Sequence, residues 1–89
     1  MNIENYIRSS AQDVLSTFDY LDFESRCKRA HNHIVSLVEM LYHEGKLFRY
    51  AVARFRDSES CDFAVHVQYE TDTDFITINI KELNNALYS

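Results

Sequence analysis

The spacing of the apolar residues changes from a helical period to a strand period at the chain's only glycine. Before Gly45, Phe23, Cys27, Ala30, Ile34, Leu37, Val38 and Leu41 recur at steps of three and four, which is one face of a long amphipathic helix over residues 22–43. After Gly45 the side chains alternate in steps of two. Residues 47–56 (LFRYAVARFR), 62–70 (DFAVHVQYE) and 75–80 (FITINI) therefore read as strands. A helical stripe in one half and alternation in the other predict an α+β fold with segregated layers.

Local chemistry supports these elements. Asp22 is placed to cap the long helix, with Glu24 in its electropositive first turn. Gly45 stands where a helix end needs a residue tolerant of the left-handed conformation. Residues 3–17 carry a second stripe (Ile3, Ile7, Ala11, Val14, Leu15, then Phe18) with Asn2 as its cap. In the strands, Phe63, Val65, Val67 and Tyr69 share one face, with His66 and Gln68 on the other. Ile76, Ile78 and Ile80 are expected to point inward, and Thr77 and Asn79 outward beside Phe48 and Tyr50.

Connections at 57–61 and 71–74 are short and polar, which favours an antiparallel meander. Residues 81–88 (KELNNALY) add a short helix with Leu83 and Leu87 facing in. The expectation is one domain over 1–89: two N-terminal helices, the second long, a three-stranded antiparallel β-meander and a short C-terminal helix. The helices pack on one face of the sheet.

Composition narrows the function. One glycine and no proline leave nothing to build a phosphate cradle or a nucleophile elbow. No base, nucleophile and oxyanion donor stand together, so the chain reads as non-catalytic. At 46 % hydrophobic residues it is too apolar for a disordered segment. No apolar run approaches the roughly 20 residues of a membrane helix, and the opening MNIENYIRSS carries no apolar signal core. Cys27 and Cys61 are expected as reduced thiols in a cytoplasmic setting.

Charge is sorted along the chain. Residues 1–25 hold one arginine against five carboxylates, net −4; residues 26–56 are net +5; residues 57–89 hold one lysine against seven carboxylates, net −6. The last block gathers Asp57, Glu59 and Asp62 at one hairpin and Glu70, Asp72 and Asp74 at the next. Residues i and i+2 of an extended chain point the same way about 6.6 Å apart, so the second triplet forms a row of carboxylates. Such a row can stand in for nucleic-acid phosphates; ordinary turn preference for aspartate is the plainer account of either loop alone.

The middle block offers a second surface. Arg26, Lys28 and Arg29 precede His31 and His33, while Arg49, Arg54 and Arg56 interleave with Phe48, Tyr50 and Phe55. Cations among aromatics suit single-stranded nucleic acid, although nucleic-acid-binding domains are commonly basic and this chain is net −5. The plainer account is pairing with the acidic blocks, helix against helix and strand against strand. The histidines lack metal-ligand spacing, Glu39 and His43 being only two ligands, and no metal or cofactor is expected. Six tyrosines, with the arginines, are the favoured anchors of protein interfaces.

In general character, being compact, acidic, rich in Asn, Asp, Tyr and Ile and nearly free of Gly and Pro, the chain resembles the small acidic proteins that bacteriophages direct against host enzymes and defence systems, such as anti-restriction and anti-CRISPR proteins. The resemblance implies an inhibitor acting in the host cytoplasm on a nucleic-acid-binding or -cleaving enzyme, by DNA mimicry. Alternatives are direct nucleic-acid binding through the 26–56 block and a homo-oligomeric, for example homodimeric, regulatory subunit.

Overall fold

The structure, a computed structural model, describes residues 2–54, 61–69 and 72–87. Helix α1 spans Ile3–Thr17 and helix α2 spans Phe23–His43. Strands β1 (Arg49–Arg54), β2 (Phe63–Tyr69) and β3 (Asp72–Ile78) follow, and α3 covers Ile80–Leu87. The strands form one antiparallel sheet in the order β1-β2-β3.

Each helix end is closed by the residues that its sequence supplies. The Asn2 side chain accepts from the Asn5 N–H at 3.0 Å, and Asp22 accepts from the Ser25 N–H at 2.7 Å. Hydrogen bonds from the Ser25 N–H and then from the Ser25 side chain hold the Asp22 carboxyl below its ordinary 3.8. Its contribution to stability is therefore complete above the ordinary carboxylate range and is lost as pH falls through the lowered value. At the other end of α2, Gly45 takes φ +79°. Its N–H donates to the Tyr42 carbonyl at 3.0 Å and the Lys46 N–H to the Leu41 carbonyl at 2.9 Å, which is the Schellman arrangement.

The core lies between the helices and one face of the sheet. Ile7, Ala11 and Leu15 of α1 and Ala30, Ile34 and Val38 of α2 are fully buried, as are Val65, Val67 and Ile78 of the sheet. Helix α2 lies under β1, where the Tyr42 and Tyr50 rings meet edge-on at 5.5 Å, and reaches β2, where His31 meets Phe63 at 5.6 Å. Helix α1 packs beside α2 and against α3 and β3.

Several placements differ from the sequence reading. Tyr50 is half-buried on the helix-facing side, because its register partner is Val67. The third strand begins at Asp72 and ends at Ile78, so Ile80 is not its last inward residue; it is the fully buried first residue of α3. Asn79 turns the chain there, its side chain accepting from the Glu82 N–H at 2.8 Å. Leu83 packs against the core, but Leu87 at the end of α3 stays exposed. His31 is half-buried by its contact with Phe63. Cys27 is in the core and Cys61 is half-buried, and no disulfide joins them.

Candidate interaction surface

With both long helices on one side, neither covers the opposite face of the sheet, where Ala64 is buried but Ala51, Ala53, His66, Phe75 and Thr77 are exposed. Register places Ala51 beside His66 beside Phe75 across the three strands, and Ala53 beside Ala64 beside Thr77. The alanines keep this face low. From it Phe75 projects with 71 % of its surface exposed, its ring 6.0 Å from that of His66. Arg49, Gln68 and Thr73 form the next row toward one end.

The acidic residues divide. Asp57, Glu59 and Glu70 lie outside the described residues. Asp62 is half-buried just before β2. Asp72 and Asp74 belong to β3 rather than to a loop. They share the face that carries Ile76 and Ile78 nearer the core. Asp72 is exposed; Asp74 is half-buried and accepts from the Tyr69 hydroxyl at 2.9 Å. Among the described residues neither is in an ion pair. The first hairpin joins the far end of β2, so a strand of seven residues, about 20 Å, separates Asp62 from this pair.

Among the described side chains the basic residues do not form one patch. Arg26 is 6 % exposed, and its guanidinium donates at 2.7 Å to the Leu15 carbonyl in the last turn of α1, so it is no part of a cationic surface. Lys28 pairs with Glu24 at 3.6 Å, and Arg29 lies 4.4 Å over the Phe18 ring. Arg49 is exposed at the start of β1, Arg54 ends that strand, and Arg56 lies outside the described residues. Lys28 and Arg29 lie roughly 20 Å along α2 from the end that leads to Arg49. Among the described residues no ion pair joins helix to helix or strand to strand. Arg8 with Glu4, Lys28 with Glu24 and His43 with Glu39 are neighbours along their own helices, and Lys46 pairs with nearby Glu44.

No helix among the described residues is long and apolar enough to cross a membrane. No protein-family model, curated protein or solved structure matches this chain.

The sequence reading missed Phe75, which it placed in a strand without assigning it a face. The signal was present: Phe75 is out of phase with Ile76 and Ile78, so it must stand on the side opposite to them.

Proposed function

We propose that this chain is a non-catalytic protein-binding module, an inhibitor or adaptor acting in the cytoplasm, whose target is an enzyme that handles nucleic acid, of the kind opposed by anti-restriction and anti-CRISPR proteins. The observation that carries the binding reading is the bare sheet face, with Phe75 71 % exposed above a floor of alanines. Antiparallel sheets often leave one face to water, and such a face is then ordinarily polar. A projecting aromatic on a low surround is instead the form of an interface anchor.

The nature of the target is supported by Asp72 and Asp74. They share one side of β3 at a spacing of about 6.6 Å, close to twice the roughly 3.4 Å axial spacing of phosphates along one DNA strand. Carboxylates so placed present anionic charge to a groove built for a nucleic-acid backbone and steer association with it.

The test is a pull-down from bacterial lysate with the tagged chain, followed by affinity measurement on the nuclease, polymerase or nucleoid protein retained. Phe75→Asp is expected to weaken that complex by at least about tenfold with the melting temperature unchanged. Glu70→Gln, Asp72→Asn and Asp74→Asn together are expected to slow association and remove its salt dependence. An empty lane at low salt, or a complex indifferent to both sets of substitutions, overturns the reading.

A further inference from the structure

The two cysteines lie far apart in sequence, yet both pack into one core. Cys27, in the second turn of α2, is 2 % exposed. Cys61, two residues before β2, is half-buried and packs against the same core. Its backbone takes φ +53°, the only positive φ of a residue other than glycine among the described residues. Such a conformation is uncommon for a residue with a Cβ and persists where the surroundings hold it.

The direction of the elements brings the two together. Tyr42, near the end of α2, meets Tyr50 of β1, whose register partner is Val67 in the later half of β2. His31, nearer the start of α2, meets Phe63, the first residue of β2, with ring centroids 5.6 Å apart. Helix α2 and strand β2 therefore run the same way. From the contact of His31 with Phe63, Cys27 is four residues back on the same face of the helix, about 6 Å along its axis. Cys61 is two residues back along the other segment, at most about 7 Å. Both steps leave one contact in the same direction, by nearly the same length, and both end against the core.

We propose that Cys27 and Cys61 are an oxidisable pair that closes to a disulfide and staples the start of β2 to α2. The oxidant is a small disulfide of the glutathione class. Cys61, the more accessible of the two, gives up its thiol proton and attacks one sulfur of the oxidant, forming a mixed disulfide and expelling one thiolate. The Cys27 thiolate then attacks the Cys61 sulfur and expels the second. Two thiols of the chain are oxidised, one disulfide of the oxidant is reduced, and the two protons end on the expelled thiolates. The link closes a loop that contains all of β1, so it restrains the unfolded chain. It goes beyond the binding reading above and does not depend on it.

The experiment incubates the full chain in glutathione buffers of rising disulfide-to-thiol ratio, with intact mass, peptide mapping and thermal unfolding as readouts. The oxidised chain is expected to be about 2 Da lighter, to carry no glutathione and to yield proteolytic fragments joined through Cys27 and Cys61. Its melting temperature is expected to rise by at least about 8 °C and to fall back when dithiothreitol is added. Cys61→Ser, a change at a half-buried position, is expected to fold and to show neither the mass loss nor the rise. Cys27→Ala is expected to stop at the mixed disulfide on Cys61, about 305 Da heavier. A disulfide between two chains on a non-reducing gel, or a lasting glutathione adduct on the unaltered chain, overturns the proposal. So do thiols that stay reduced at every ratio, and an oxidised chain that melts no higher.

Discussion

Arg26 is a charge taken out of water to finish another helix. Helix α1 has no basic residue in its last turn, so its terminal carbonyls carry the negative end of the helix dipole without a cation of their own. The Arg26 guanidinium reaches across from α2 to the Leu15 carbonyl, while its Nε, also buried, has no partner among the described residues. Arg26→Met keeps the packing of the stem but strands that carbonyl. A loss of about 1–3 kcal/mol is expected, read from the urea midpoint. A residue that merely bound nucleic acid would leave the midpoint where it was. Sequence placed Arg26 in a cationic patch because charge alone suggested exposure. The clue to its burial was its neighbour Cys27 on the apolar stripe, which sets Arg26 at the stripe's margin. Whether a marginal arginine snorkels outward or turns inward depends on what lies opposite, here the end of α1.

Gly45 joins two halves that follow different periods. Its φ of +79° is a conformation that side chains with a Cβ adopt at a cost, and a Cβ built there meets nothing within 4 Å. The penalty of Gly45→Ala is therefore backbone strain rather than collision, expected at about 1–2 kcal/mol in thermal or urea unfolding, with Gly45→Asn losing less. Helix bounds were legible to within a residue because caps and periodicity are local. The third strand was not, because Asp72, Thr73 and Asp74 have turn chemistry. Pairing with Tyr69, Gln68 and Val67 draws them into the ladder against their own propensity. Ile80 was misplaced for a related reason. An inward isoleucine two residues after Ile78 fits a strand as well as the first turn of a helix, and the Asn79 cap decides for the helix.

The molecule has two layers and a Cα radius of gyration of 12.9 Å, near the roughly 12 Å expected for a compact chain of this length. Phe63, 1 % exposed, ties those layers through its T-shaped contact with His31 of α2. Phe63→Ala is expected to cost about 3–5 kcal/mol, a large part of the roughly 5–15 kcal/mol that holds such a domain together, and calorimetry should show a much lowered or absent transition. The order of elements, the inward faces of α1, α2 and β2 and the segregation of charge were present in the sequence, because helix caps, apolar spacing and strand alternation act over a few residues. Which sheet face the helices cover and where Arg26 comes to rest depend on residues far apart in the chain. Those choices arise only when the layers pack, since burying one side of a sheet necessarily leaves the other side, with Phe75 on it, to the solvent.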